Sequence, residues 1–227
     1  MRMTAFAPGT DRVAGEPAPR AGRIGPNAVT RLSEALDEVL GEPAASEVFG
    51  AAGQLAYRQA PPSSMVDERV VTALHVALRD VLTPADAARI ARRAGVLTGE
   101  YLLAHRIPAP VRWLLPALPK AWSSRLLVEA MARHAWTFAG SGRFAAVRPA
   151  RDRAPGDSRR IPPAARLQLE IADCPVCRGD CSTAPVCDYY AATFEHLFRA
   201  LVSPRTTVVE CECRAAGAVA CRFDVRW

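Results

Sequence analysis

All seven cysteines of this 227-residue chain fall between Cys174 and Cys221, in CPVCRGDCSTAPVCDYY and ECECRAAGAVACRF. Glu210 and Cys213 stand three apart at the end of an expected strand, and Cys221 begins its hairpin partner. Cys187 opens an expected helix just upstream. Three thiolates and one carboxylate suit a four-coordinate tetrahedral zinc ion, with Zn–S distances of about 2.3 Å. Four protein ligands close such a site to substrate, so its role is structural, clamping helix to hairpin and coupling metal binding to folding. The other cysteines raise a second question. Cys174, Cys177 and Cys181 form C-x-x-C-x-x-x-C, and Cys211 would supply a fourth thiolate. That set offers a second zinc site or an iron–sulfur cluster. The plainer alternative is loop thiols, some of them substitute ligands for the one zinc. Cys211 and Cys213 are two apart, so on a regular strand they share a face.

Elements must exist to position these groups. Residues 1–22 are rich in Pro, Gly and Ala without periodicity and read as a flexible tail. Helical periodicity begins with Val29, Leu32, Leu36 and Leu40 on one stripe, and returns with Val66, Val70, Leu74, Leu78 and Val81. Thr83, Pro84 and Asp86 form a helix start, and that helix should run to about His105. PVRWLLPAL reads as a short helix broken by Pro116, and AWSSRLLVEAMARHAWTF as a longer one ending near AGSG. From 23 to 150 the chain is therefore mainly helical. RFAAVRP is an expected strand, 151–164 a loop, and RLQLEIA an alternating strand. Pro185 to about Val202 is an amphipathic helix, and TTVVECEC and ACRFDVR form a closing hairpin that turns near Ala216 and Gly217. This order predicts an α+β fold, an antiparallel sheet packed with helices, with residues 165–227 carrying the metal ligands.

Charge and composition exclude several classes. The formal net charge is +6 and the mean hydropathy +0.01. Lys120 is the only lysine, and the arginines are interspersed with acidic residues, so the chain lacks the basic run of a nucleic-acid binder. No apolar run reaches the roughly 20 residues of a membrane span, and the N-terminus lacks the apolar middle of a secretory signal. The expected location is the cytoplasm, where thiols stay reduced and clustered cysteines bind metal. No G-x-G-x-x-G follows a strand, and no Ser-His-Asp order or paired carboxylate site stands out.

The ending E-x-x-C-x-x-x-G-x-x-x-C-x-F resembles the signature of the 4-vinyl reductase domain. In that family the Glu, the two following Cys and one Cys about two dozen residues upstream bind a structural zinc, which corresponds here to Glu210, Cys213, Cys221 and Cys187. RIGPNAVTRL, CPVCRG and PVCDYYAATFEHLFRALV are similar to a family of bacteriochlorophyll-biosynthesis proteins, over nearly the whole chain. The resemblance implies the ligand-binding fold shared with haem-based gas sensors and a Golgi trafficking component, often dimeric, with a pocket between helices and sheet.

Under that resemblance the ligand is a porphyrin or chlorin intermediate. RHAWTFAGSGRF supplies His134, Trp136 and Phe138 beside a glycine break, flanked by Arg133 and Arg143. Aromatic faces suit a flat macrocycle, arginines its propionates, and a histidine its central magnesium. Each has a plainer reading as a core or surface group, as do His75, His105 and His196. The family name asserts an 8-vinyl (formerly 4-vinyl) reductase, but vinyl reduction needs a hydride or electron source. No nicotinamide or flavin motif is visible, and an iron–sulfur cluster would be the one endogenous relay. Three readings follow: a tetrapyrrole carrier serving a bacteriochlorophyll-biosynthetic enzyme, the reductase, or a sensor-like module acting through a partner.

Overall fold

The structure is a computed structural model describing residues 22–147 and 166–227. The expected loop 151–164 and nearly all of the expected tail 1–22 lie outside the described residues. In chain order the elements are β1 (Arg23–Ile24), α1 (Asn27–Val39), α2 (Glu42–Ala51), α3 (Ala56–Gln59), β2 (Val66–Asp67), α4 (Glu68–Val81) and α5 (Pro84–His105). There follow α6 (Ala109–Ala117), α7 (Lys120–Arg133), α8 (Trp136–Ala139), β3 (Arg143–Val147), β4 (Leu167–Ala172), α9 (Asp188–Leu201), β5 (Thr207–Glu212) and β6 (Ala220–Arg226).

The helices form where the apolar spacing demands. Leu32 and Leu36 of α1, and Leu74 and Leu78 of α4, are buried. Thr83 caps α5 by accepting a hydrogen bond from the Asp86 N–H at 3.2 Å. Differences from expectation have local causes. The stretch AWSSRLLVEAMARHAWTF makes two helices, α7 and α8, separated at His134 and Ala135. The chain over 42–59 carries α2 and α3, whose Ala- and Gly-rich sequence gives little periodic signal. The last helix begins at Asp188 rather than Pro185, because Cys187 sits at its N-cap and is turned toward the other cysteines.

The sheet is antiparallel with strand order β3-β4-β6-β5, and β1 and β2 form a separate two-stranded ribbon. Leu167, Leu169, Ile171, Phe223 and Val225 are fully buried in the sheet. Against this face lies α9, whose Phe194 ring meets Phe223 edge-on at 5.4 Å. The opposite side of α9 packs on α5, so residues 189–194 are buried without interruption. That arrangement explains why the helix is apolar nearly all round rather than along one stripe.

Glycine permits the close approach of α5 and α9. A Cβ on Gly95 would fall 2.3 Å from the Tyr189 carbonyl oxygen and 2.9 Å from Ala192 Cβ. Gly50, in α2, has nothing within 4 Å of the same position. The two glycines should therefore respond oppositely to alanine. Gly50→Ala is expected to stabilise by about 0.5–1 kcal/mol through helix propensity and unfolded-state entropy. Gly95→Ala is expected to destabilise by about 1–3 kcal/mol because backbone must move. Urea midpoints of the two variants check this, and a stabilised Gly95→Ala would contradict the helix spacing.

Candidate metal centre

Five buried cysteines and one carboxylate converge where the sheet meets the N-terminus of α9. Cys174 and Cys177 lie on the loop leaving β4, Cys187 caps α9, Cys213 follows β5, and Cys221 is the second residue of β6. The Sγ separations are 3.6 Å for Cys174–Cys187, 3.4 Å for Cys177–Cys221, 3.6 Å for Cys187–Cys221, 4.0 Å for Cys187–Cys213 and 3.9 Å for Cys213–Cys221. Tetrahedral zinc with Zn–S bonds of about 2.3 Å requires sulfur–sulfur edges of about 3.8 Å, so this spacing fits the ion. Two sets of four donors each lie within 4.8 Å of one another: Cys174, Cys177, Cys187 and Cys221, and Cys187, Glu210, Cys213 and Cys221.

A strand irregularity makes the second set converge. Glu210 and Cys213 are an odd number of residues apart, so on a regular strand they would face opposite sides. The β5–β6 register shifts between Glu210, opposite Phe223, and Glu212, opposite Arg222. This β-bulge leaves Cys211 as the extra residue and returns Cys213 to the face that carries Glu210. Cys211 points the other way, with its sulfur 3.5 Å from Asp224 Oδ1 and 3.6 Å from Gln168 Nε2. The expectation that Cys211 and Cys213 share a face is thus corrected by the bulge. Cys181 is exposed and belongs to neither set, whereas Cys174 and Cys177 join Cys187 and Cys221 rather than forming a separate group with Cys211.

The loop bearing Cys174 and Cys177 is held by α4. Thr72 Oγ1 donates to the Pro175 carbonyl at 2.7 Å, and Arg79 binds the Val176 carbonyl at 2.9 Å and Asp180 at 2.5 Å. Arg178 reaches back to the buried Glu68 at 2.6 Å and to the Asp173 carbonyl at 2.6 Å. Burial alone would raise the Glu68 carboxyl, but hydrogen bonds from Ser141 and Arg178 outweigh it and hold the group below its usual range. Residues a hundred positions apart in sequence therefore fix the first two sulfurs.

Electrostatics explains why the donors need a cation. The Cys177 thiol is pushed far down by hydrogen bonds from Cys174, Cys187, Cys213 and Cys221, whereas Cys187 and Cys221 are pushed up. Without metal, one sulfur carries the charge and its neighbours keep their protons. Burial and then the adjacent Cys213 push the Glu210 carboxyl up to about 9, although its Oε2 accepts the Cys187 N–H at 2.7 Å. Its Oε1 is buried without a hydrogen-bond partner. A divalent ion would replace these protons and satisfy that oxygen. A cleft of about 270 Å³ beside Glu210, lined by Arg92, Pro185, Asp188 and Val208, gives a route in.

The histidines take no part in either donor set. His75 is fully buried and neutral, pushed down to about 3 by burial and then by Arg79, and its ring meets Tyr189 edge-on at 5.4 Å. The residues expected to line a ligand pocket sit at the corner formed by α7, α8 and β3. His134 is exposed, with Nδ1 3.0 Å from the Ala130 carbonyl; Trp136 is 59% exposed; Arg133 pairs with Glu129 at 2.7 Å; and Arg143 is exposed at the start of β3. Phe138 alone turns inward, edge-on to Phe144 at 5.4 Å and to Tyr190 at 6.3 Å. A wider cleft of about 420 Å³ lies at Ala121, Ser124, Arg125, Arg166 and Trp227.

A sheet-and-helix unit closed by a cysteine-rich donor set defines the class, and the family model for the 4-vinyl reductase domain matches residues 167–227. Across nearly the full length the chain is 42% identical to the bacteriochlorophyll synthase 23 kDa chain of Cereibacter sphaeroides, over 94% of this chain and 95% of that one. It is 36% identical to the protein of the same name from Rhodobacter capsulatus, over 88% of this chain and 85% of that one. The chain belongs to the 4-vinyl reductase domain family that includes these bacteriochlorophyll synthase 23 kDa chains. No helix among the described residues is long and apolar enough to cross a membrane.

The two shared ligands are the most sensitive positions. Cys187→Ser or Cys221→Ser should abolish metal binding and lower Tm, whereas Cys181→Ser and Cys211→Ser should leave both unchanged. Elemental analysis with thermal melts measures this, and loss of metal from Cys211→Ser would contradict the bulge geometry. Thiols must lose protons to bind metal, so affinity should rise with pH and the metal should be released as pH falls. A melt with chelator should match the acid-released form.

Proposed function

We propose that this protein binds a porphyrin or chlorin intermediate of bacteriochlorophyll biosynthesis and presents it to an enzyme of that pathway, with the metal, read as structural zinc, serving the fold. The observation that carries the pathway is the similarity, over nearly the whole chain, to two proteins named as chains of bacteriochlorophyll synthase. The carrier role is supported by the enclosure of the reactive thiols, which leaves the metal donors facing one another rather than a substrate. The exposed indole of Trp136 offers a flat apolar face, Arg133 and Arg143 offer partners for propionates, and His134 has Nε2 free of the bond held by Nδ1. The chain's family resemblance further implies a homodimer working in the cytoplasm.

Titration with protoporphyrin, its magnesium form and protochlorophyllide tests this reading. At least one should shift its Soret band and quench tryptophan fluorescence. Trp136→Ala and His134→Ala, both at exposed positions, should weaken binding by about tenfold each without lowering Tm. No spectral change with any of the three pigments would sink the proposal. Conversion of divinyl to monovinyl pigment by the isolated protein with a defined reductant would replace it with the 8-vinyl reductase.

A further inference from the structure

We propose that the metal centre is binuclear: two zinc ions in tetrahedra that share one edge, with Cys187 and Cys221 as bridging thiolates. Cys174 and Cys177 complete one tetrahedron, and Glu210 and Cys213 complete the other. The inference rests on the donor geometry alone and is independent of the pigment read as the ligand.

The two donor sets overlap in two sulfurs, Cys187 and Cys221, which lie 3.6 Å apart. An edge of about this length is what two zinc tetrahedra can hold in common. On one side of it stand Cys174, 3.6 Å from Cys187, and Cys177, 3.4 Å from Cys221. On the other stands Cys213, 4.0 Å from Cys187 and 3.9 Å from Cys221.

A single ion leaves part of this arrangement without a purpose. If it took the four sulfurs Cys174, Cys177, Cys187 and Cys221, the Glu210 Oε1 would remain buried and unpartnered and the buried Cys213 idle. If it took Cys187, Glu210, Cys213 and Cys221, then Cys174 and Cys177, 0% and 1% exposed, would be idle. Two ions employ all six. Each unpaired polar group kept from water costs free energy, which favours the arrangement that satisfies them together.

Charge is also tolerable. Five thiolates and one carboxylate against two divalent ions leave about two negative charges, the same as one zinc ion on four thiolates. Backbone N–H groups reduce this further: Arg214 N–H reaches the bridging Cys221 Sγ at 3.5 Å, and Cys187 N–H holds Glu210. Thiolate-rich donors select zinc among common divalent ions by softness and tetrahedral geometry.

The test is metal stoichiometry on the full-length protein purified without chelator, by elemental analysis and native mass spectrometry. Wild type should hold two zinc ions per chain, and Cys174→Ser and Cys213→Ser should each hold one. Cobalt(II) loading of metal-free protein gives a second readout that needs no variant. Visible absorption should grow to two equivalents, and the paramagnetic signal per cobalt should fall on adding the second, through coupling across the bridging thiolates. Saturation at one equivalent, with no such coupling, would overturn the binuclear centre while leaving a mononuclear one. Iron with inorganic sulfide would overturn it in favour of a cluster. Protein that binds no metal would overturn the metal centre entirely, and none of these outcomes bears on pigment binding.

Discussion

Ionised sulfurs packed within 4 Å of one another repel, and only a cation among them makes their joint burial favourable. Much of the C-terminal third is arranged around that constraint. The donors come from the β4 loop, the cap of α9, the end of β5 and the start of β6. Apart from Cys174 and Cys177, they come from separate elements and are joined through the shared centre. A metal here therefore replaces the apolar packing that a short four-stranded sheet with one central helix would otherwise need.

The rest of the molecule supplies the walls. The α5 helix lies against α9 at glycine distance, and Thr193 Oγ1 donates to the Gly95 carbonyl at 3.1 Å across that contact. The α4 helix grips the loop bearing Cys174 and Cys177 through Thr72, Arg79 and the Glu68–Arg178 pair. The helical N-terminal part and the metal-bearing part consequently share one core, although the family-model match covers only the latter.

Much of this was legible in the sequence where a local signal existed. Leu32, Leu36, Leu74 and Leu78 announce their helices by spacing, and Thr83 with Pro84 announces a start. The convergence of Cys187, Glu210, Cys213 and Cys221 follows from a helix cap beside a hairpin. The bulge at Cys211 has no such signal, since nothing in ECEC distinguishes a regular strand from one with an extra residue. The membership of Cys174 and Cys177 in the same cluster was likewise hidden. It depends on Thr72 and Arg79, about a hundred positions earlier, and spacing rules do not reach that far. The corner carrying Trp136 was read from composition, which marks aromatic residues but does not separate the exposed indole from the inward Phe138.

Placement of these two regions bears on function. The thiols, the groups in this chain most prone to oxidation and side reaction, are enclosed around a centre that a closed-shell ion would make inert. The aromatic and cationic groups able to meet a flat acidic pigment lie outside it, on α7, α8 and the start of β3. Phe138 links the two regions, because its carbonyl accepts the Tyr190 hydroxyl at 2.6 Å, and Tyr190 lies on α9 three residues after the cap formed by Cys187. A rigid centre thus holds one end of α9, and through Tyr190 holds the corner that would carry the pigment. In such an arrangement the metal contributes to binding by fixing shape, since a preorganised surface loses less entropy when it takes its ligand.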